Sequence, residues 1–334
     1  MNEPNLDMAD VSDRIHATVL IPVKNGGDLF VRVLERVMTQ ETPWPYEVLV
    51  IDSGSRDGSV DVAKNLGARV VEIAPQDFGH GKTRNLGVSL AQGDYVAVLT
   101  HDALPVDEHW LKNLVEATSS APDVAGAFGR HLAYDHASIV TRQELKVHFA
   151  GFGDSQKTFR LDDPERYQCD EGYRQFLHFF SDNNACLRRE VWRQFPYPEV
   201  DFAEDQAWAK QVIEAGFAKV YVPEAAVYHS HDFGFVETGR RAYDEARALN
   251  RLFGYRLVRG PFQGMKSWAG LSARNVLWII RADAPLGRKL RQALAVPFLM
   301  GAKIVGLFLG EREDRLPDWL VGRASRDRAL QKQG

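Results

Sequence analysis

Cysteine is scarce in this sequence, which contains two, Cys169 and Cys186, among 334 residues. Two cysteines cannot build the disulfide framework of a small secreted domain, and nothing around them has a metal-binding spacing. The first 14 residues also lack the apolar run of a secretory signal. Together these absences favour a cytoplasmic protein with two reduced thiols.

Basic residues are not in excess either. The chain has 41 Lys and Arg against 45 Asp and Glu, a formal net charge of -4 at pH 7. A domain that binds nucleic acid usually carries a basic surplus, so nucleic acid is not expected as a partner. With 45% hydrophobic and 26% charged residues, the composition is that of a globular protein. The length allows one main domain with an appendage.

Short apolar runs alternate with helical patterns along the first part of the chain. The predicted strands cover residues 17–23, 46–52, 68–73 and 94–100, and helices begin near residues 28, 57 and 81. Continuous apolar strands alternating with helices predict an α/β fold, with a parallel sheet covered on both faces. Ligands of such sheets bind beyond the carboxyl ends of the strands.

The later part of the chain changes character. Between residues 122 and 202 the pattern loosens into shorter strands and loops, and a helix over 204–215 and a strand over 219–222 follow. From Phe235 onward the pattern is mainly helical and richer in arginine. We therefore expect a helical C-terminal appendage.

Polar residues follow three of the predicted strands, as Lys24-Asn25-Gly26, Asp52-Ser53-Gly54-Ser55 and Thr100-His101-Asp102. Asp52 at a strand end is suited to accept hydrogen bonds from a nucleobase or a ribose, but it is equally suited to cap a turn. For Asp57, the cap of the next helix is the favoured interpretation.

The segment from Phe78 to Pro105 contains a helix start with Arg84 and Asn85. Helix N-terminal amides and a guanidinium together suit a diphosphate, although an arginine here is also a common surface residue. Asp102 ends the following strand and is a hard oxygen ligand for Mg²⁺ or Mn²⁺. One carboxylate is a poor metal site by itself. His229 and His231 are the candidate additional ligands, unless they form a surface pair.

Three acidic residues, Asp201, Glu204 and Asp205, surround the start of a predicted helix. Acidic side chains stabilise helix N-termini by capping and through the helix dipole. The functional alternative is that one carboxylate takes the proton of an acceptor hydroxyl as a general base. The residue pattern alone leaves both interpretations open.

Seven segments of the chain, taken in order, resemble the inverting family 2 glycosyltransferases. They are TVLIPVKNGG, VLVIDSGSRDGS, GHGKTRNLG, YVAVLTHDALP, FSDNNACLRREVW, FAEDQAW and AVYHSH. The resemblance implies a GT-A fold, which is Rossmann-like with a mostly parallel sheet flanked by helices. It also implies a flexible N-terminus over 1–16, a glycosyltransferase domain over 17–233 and a helical C-terminal region over 234–334.

The resemblance assigns roles to individual positions. Asp205 matches the catalytic base, Asp102 matches the last Asp of the DxD metal motif, and His229, rather than His231, matches a histidine that completes the metal site. Asp182, Asn183 and Glu204 are expected on the acceptor side. The expected nucleotide-sugar site comprises Pro22, Lys24, Asp52, Ser53, Gly54, Arg84, Asn85, Thr100, His101 and Asp102.

The sequence also departs from the family pattern, because Thr100 occupies the place of the first DxD acid. The metal site is therefore one carboxylate short of the usual set. LTHDALP and GHGKTRNLG resemble the bacterial rhamnosyltransferase branch, which implies dTDP-rhamnose as donor and a glycan or lipid-linked acceptor in surface polysaccharide synthesis. A catalytically inactive sugar-binding scaffold and a sugar-phosphate nucleotidyltransferase are the competing functions.

The stretch from Leu294 to Gly310 is apolar but contains Pro297 and Lys303. A buried helix, or one in the membrane interface, is favoured over a spanning helix. Nearby tryptophans and arginines suit anionic headgroups, so peripheral contact with the inner face of the cell membrane is one expectation. A helix pair packed on the catalytic domain is the other.

Overall fold

The structure is a computed structural model that describes residues 14–325. Within that range the strands are β1 Ala17–Val23, β2 Tyr46–Asp52, β3 Arg69–Glu72, β4 Tyr95–Leu99, β5 Leu104–Pro105, β6 Val124–Leu132, β7 Lys157–Phe159, β8 Asn184–Arg188 and β9 Ala218–Tyr228. The helices are α1 Gly27–Met38, α2 Ser59–Asn65, α3 His80–Leu90, α4 Trp110–Ser119, α5 Ile139–Ala150, α6 Pro164–Cys169, α7 Glu171–His178, α8 Arg189–Gln194, α9 Glu204–Glu214, α10 Phe235–Phe253, α11 Pro261–Arg281, α12 Leu286–Gly310 and α13 Asp318–Ala324.

One sheet contains all nine of these strands in the order β3-β2-β1-β4-β8-β6-β9-β5, with β7 paired to β9. The first half is parallel, because β1 pairs in parallel with both β2 and β4, and β2 with β3. In β1 and β2 the central residues are buried valine, leucine and isoleucine, as a strand covered on both faces requires. The predicted strands and helices of this half are confirmed within one to two residues.

The second half of the sheet is mixed. β8 lies antiparallel between β4 and β6, and β6 then pairs in parallel with β9. The α/β fold class is confirmed, while the region that the sequence indicated as short strands and loops also contains helices α5 to α8. β9 is longer than its predicted strand, since it continues beyond Val222 to Tyr228.

The chain divides into two compact units. The larger unit contains the sheet and the helices α1 to α4 and α6 to α9, and the smaller contains α10 to α13 and most of α5. The mainly helical C-terminal region agrees with the sequence pattern. The predicted flexible N-terminus, 1–16, lies outside the described residues except for 14–16, and the predicted domain boundaries stay predictions.

Candidate active site

The loops after β1 and β2 are bound to each other at the carboxyl ends of their strands. The amide of Asn25 donates to Ser55 Oγ at 2.7 Å, and its side-chain oxygen accepts from the amide of Arg56 at 2.8 Å. Asn25 has a left-handed backbone, with φ +50°, which asparagine tolerates better than most residues. Gly27 donates to Asp57 Oδ2 at 2.9 Å. These bonds hold the KNGG and SGSRDGS segments together as one polar surface.

Asp52 is buried and ends β2. Its carboxylate accepts the amides of Gly54, at 2.9 Å, and Ser55, at 3.0 Å, which is the turn-capping interpretation of this residue. Its expected contact with a nucleobase stays a prediction. Asp57 accepts the amide and hydroxyl of Ser59, but the N-cap position of α2 belongs to Gly58, whose φ of +88° favours glycine.

Asp102 is brought to the end of β9 by the short strand β5. Leu104 and Pro105 pair antiparallel with Tyr228 and Val227, so the residues before β5 lie beside those that follow β9. Asp102 Oδ1 consequently lies 3.6 Å from His229 Nε2. Two residues separated by 127 positions in the sequence meet because of this pairing, as the resemblance required of a shared metal site.

Asp102, His229 and His231 each offer one ligand atom, and these atoms lie within 4.8 Å of one another. A carboxylate with two imidazoles is a donor set that can bind a divalent metal ion. The hydroxyl of Thr100, at the position of the missing DxD acid, is a buried oxygen without a hydrogen-bond partner among the described residues. The preference for His229 over His231 as the ligand stays a prediction, since this geometry brings both to Asp102.

A buried cluster of charges lies between α3 and α9. The guanidinium of Arg84 forms an ion pair with Glu204 and lies 3.2 Å from Asp182 Oδ2, and all three side chains are less than a tenth exposed. Burial alone would lower the pKa of Arg84, but the two carboxylates raise it above its usual value. The positively charged guanidinium is therefore paired with these two acids. Its expected contact with the donor diphosphate stays a prediction.

Asp205 lies next to this cluster, at the start of α9. Its carboxylate accepts the amide of Asp182 at 3.3 Å and the amide of Gln206 at 2.7 Å. Burial, and then the charges of Glu204 and Asp182, raise the pKa of Asp205 well above its usual value. A carboxylate with a raised pKa is a stronger base, and its side chain is still partly exposed. Ala203, just before the helix, has a strained left-handed backbone with φ +61°.

Tyr197 completes the cluster, and sequence reasoning did not identify it. Its buried phenol donates to Asp182 Oδ1 at 2.7 Å. The side chain of Asn85 binds the backbone of Tyr197. Its Nδ2 donates to the Tyr197 carbonyl at 2.9 Å, and its Oδ1 accepts from the Tyr197 N–H at 3.0 Å. Gly81 allows α3 to approach this segment, since a Cβ there would lie 2.7 Å from the carbonyl oxygen of Pro198. Asn85 thus has a structural role, and its donor contact stays a prediction.

Two further buried residues support the site. Asn184 lies within the FSDNNACLRREVW motif, but the sequence analysis assigned no role to it or to Lys219. Asn184 at the start of β8 accepts from Trp110 Nε1 at 2.7 Å and donates to the carbonyl of Ala225 at 2.8 Å. Lys219 is fully buried and donates to the carbonyls of Phe176 and Phe179, at the end of α7. These bonds fix the segment that carries Asp182.

The remaining predicted residues lie at or near the ends of β1, β2, β4 and β8. Pro22 is opposite Ile51 in the β1–β2 register, Ser53 donates from its amide to the Val23 carbonyl at 3.0 Å, and Lys24 is exposed. Gly54 has φ +93°, and His101 and Asn183 are partly exposed. Contacts of these residues with a donor or an acceptor stay predictions.

Comparison with known proteins identifies relatives along most of the chain. Residues 18–193 match the model of glycosyl transferase family 2. The O-antigen chain rhamnosyltransferase RfbN of Salmonella typhimurium is 35% identical over 311 residues, which cover 90% of this chain and 91% of that protein. The O-antigen chain rhamnosyltransferase WbaN of Salmonella anatum is 28% identical, with 90% of each protein covered.

Solved structures show the same fold at low sequence identity. The mannosyltransferase PcManGT from Pyrobaculum calidifontis, solved with GDP-Man and Mn²⁺, has a TM-score of 0.56 and 17% identity, over 91% of this chain and 88% of that one. TarS 1–349 of S. aureus has a TM-score of 0.50 and 14% identity, with 90% and 91% covered. These likenesses support the GT-A type of fold. The family model and the 35% identical relative establish that the chain belongs to glycosyl transferase family 2.

Proposed function

We propose that this glycosyltransferase transfers L-rhamnose from dTDP-rhamnose to a glycan or lipid-linked glycan in bacterial surface polysaccharide synthesis. The observation that carries the proposal is the similarity to two O-antigen rhamnosyltransferases along 90% of the chain. That similarity continues past residue 193, where the family model ends, into the helical region. A relationship limited to the nucleotide-binding fold would not extend so far.

The proposed reaction is a single displacement at the anomeric carbon of the sugar. A carboxylate oxygen of Asp205 takes the proton of the acceptor hydroxyl, the acceptor oxygen bonds to the anomeric carbon, and the bond to the diphosphate oxygen breaks. One displacement inverts the configuration of that carbon. Burial of Asp205, and then the acids around it, support this role because they raise its pKa, which makes the carboxylate a better proton acceptor.

Asp102 and His229, with His231 beside them, would hold a divalent ion. When bound, such an ion neutralises the charge that develops on the departing diphosphate. The mixed donor set of one carboxylate and two imidazoles supports Mn²⁺ as the metal in preference to Mg²⁺. Lys24, Asp52 and the two bonded loops at the ends of β1 and β2 are the proposed nucleotide surface.

The enzyme is proposed to work at the inner face of the cell membrane, where a lipid-linked acceptor would be presented. α12 is long and apolar enough to cross a membrane by length and composition, with a mean hydropathy of 1.9 in its most apolar window. A peripheral position fits this helix better than a span, since several of its residues, among them Val296, Met300 and Leu307, are buried within the protein.

A thermal-shift screen of nucleotide sugars, with Mn²⁺ and with Mg²⁺, tests the donor. We expect dTDP-rhamnose and dTDP to raise the melting temperature, and to do so more strongly with Mn²⁺. Stabilisation by UDP or GDP sugars without a response to dTDP species would show that the proposed donor is wrong. No response to any nucleotide would favour the inactive scaffold.

A further inference from the structure

We propose that α11 and α12 form a docking surface for an anionic phospholipid bilayer, and that the groove between them takes an acyl chain. This inference extends the proposed membrane location. It does not depend on the identity of the donor or the acceptor. The surface is defined by the outward apolar side chains of the two helices and by the basic residues that flank them.

The outward side of α12 is apolar along most of its length. Leu286, Leu290, Leu294 and Phe298 follow one another at four-residue intervals, and each is more than half exposed. Residues at this spacing lie along one side of a helix, so the four side chains form a continuous stripe. Val305, also more than half exposed, continues it. An exposed apolar stripe of this length is uncommon on a surface that only meets water.

α11 presents a second stripe. Phe262 and Met265 in its first turns and Ile280 in its last turn are exposed by 60% or more. Phe262 and Ile280 are 18 residues apart, which is about five helical turns, so they lie on the same side of α11. The turn between α11 and α12 is short and joins them as neighbours. Trp268 Nε1 of α11 donates to the carbonyl of Pro297 in α12, at 2.8 Å.

A groove of about 410 Å³ lies between the two helices. Its walls are almost entirely apolar, and they are built by α11, α12 and the segment before α11. Its lining includes Val258, Gly264, Trp268, Gly301, Val305 and Phe308. Gly264 and Gly301 keep the groove open because they carry no side chain. Such walls offer a hydrocarbon chain burial without any polar group to satisfy.

The excess of basic residues around this surface favours an anionic partner. Residues 256–310 contain nine Lys and Arg but one acidic residue, Asp283, within a chain whose net charge is -4. Arg256, Arg259, Lys266, Arg281 and Arg291 are all exposed. Basic residues that flank an apolar helix face bind the headgroups of anionic lipids while the apolar side chains enter the acyl region. A neutral protein surface would not complement this charge.

The packing of α12 favours a helix that lies on the bilayer over one that crosses it. Its other side is fastened to α10 through two glycines: a Cβ on Gly306 would lie 2.2 Å from the carbonyl of Gly239, and one on Gly310 would lie 2.2 Å from that of Tyr243. α10 carries acidic and basic residues throughout, including Glu237 and Arg240. Crossing the membrane would require separating α12 from this helix, or taking those charges into hydrocarbon.

Vesicle co-sedimentation of the full chain tests the surface. We expect the protein to bind vesicles that contain phosphatidylglycerol, and to bind vesicles of pure phosphatidylcholine at least about tenfold more weakly. Salt at about 0.5 M should abolish this difference, because it screens exposed charges. Arg291→Ala should weaken binding by about fivefold, from the roughly 1 kcal/mol that one basic residue contributes. Arg32→Ala, at an exposed arginine of α1, should not.

Val305→Glu tests the groove, with Val147→Glu as its matched control. Both valines are on helices and are similarly exposed, at 57% and 51%, but Val147 lies on α5, outside the proposed surface. Val305→Glu should reduce binding to anionic vesicles by about tenfold or more, because it removes an apolar contact and adds a repelled charge. Val147→Glu should bind like the unmodified protein.

Two further measurements separate the outcomes. Phospholipids with brominated acyl chains should quench the Trp268 fluorescence, and Trp268→Phe should lose that part of the quenching. The donor thermal shift, measured without vesicles, shows that each variant is folded and tests the proposed donor binding separately. Vesicle binding unchanged by Val305→Glu would overturn the groove assignment. Concentration-dependent self-association that Val305→Glu abolishes, without vesicle binding, would assign the groove to a second copy of the chain.

Discussion

Replacing Tyr197 with phenylalanine removes one hydrogen bond from the buried cluster and leaves the ring in place. The phenol donates to Asp182 Oδ1 at 2.7 Å, and both side chains are at most 2% exposed. Burial raises the pKa of Asp182 to about 6, although Arg84 opposes this shift. The strength of the bond that is lost therefore depends on pH, because the acceptor is a carboxylate above about pH 6 and a neutral acid below it.

The free energy of unfolding should fall by different amounts on the two sides of that pKa. At pH 8 the variant loses a bond to a buried charge, worth about 1.5–3 kcal/mol, and at pH 5 it loses a neutral bond, worth about 0.5–1.5 kcal/mol. The sign agrees with proton linkage. An acid whose pKa is raised on folding contributes stability at low pH that is lost as pH rises through the folded value. Removing the phenol raises that pKa further, since its hydrogen bond lowers it.

Urea unfolding at pH 5 and pH 8 measures both losses, with Tyr46→Phe as the control. The Tyr46 phenol donates at 2.8 Å to the backbone carbonyl of Val37, an acceptor that does not titrate. Tyr46→Phe should therefore cost about 0.5–1.5 kcal/mol at both pH values. An equal cost of Tyr197→Phe at pH 5 and pH 8 would refute the view that Asp182 is a buried acid titrating near pH 6.

Further substitutions test the metal site, the sheet and α11. His229→Ala should weaken Mn²⁺-dependent donor binding by about tenfold or more, because it removes a metal ligand. Isothermal titration calorimetry with and without Mn²⁺ measures this loss. If only His231→Ala removes the effect of the metal, the resemblance selected the wrong histidine. Gly129→Ala should lower the free energy of unfolding by about 1–3 kcal/mol or more, because its Cβ would lie 1.9 Å from the carbonyl oxygen of Ala225. Gly270→Ala, in α11 with open space around it, should instead raise stability by about 0.5–1 kcal/mol in the same urea titration.

The parallel half of the sheet could be predicted because its information is local. β1, β2 and β4 are runs of buried apolar residues bounded by polar turns, and helices with their own period separate them. β8 could not be placed in the same way. Its residues Asn184–Arg188 show no local feature that distinguishes an antiparallel strand between β4 and β6 from another parallel one. That arrangement is decided by packing with distant strands.

The site shows the same division between local and distant information. The turn role of Asp52 follows from its own sequence neighbours, and the structure shows the two hydrogen bonds. Arg84 differs, because its partner Glu204 is 120 residues away and no local signal separates an arginine that binds phosphate from one that pairs with a buried acid. Nothing in the sequence indicated a role for Tyr197, because it lies between two prolines and outside every recognised motif.

Rhamnosyl transfer by Asp205 is the central claim, and a transfer assay with purified protein tests it most directly. The assay supplies dTDP-rhamnose, Mn²⁺ and a lipid-linked glycan acceptor, and follows the product by mass spectrometry and the anomeric configuration by NMR. The unmodified protein should form a rhamnosylated product with the configuration inverted. Asp205→Asn should bind the donor normally and lose about 10²–10⁴-fold in rate, the range for loss of a positioned general base. Transfer by Asp205→Asn at the unmodified rate, or a product with retained configuration, would contradict the account.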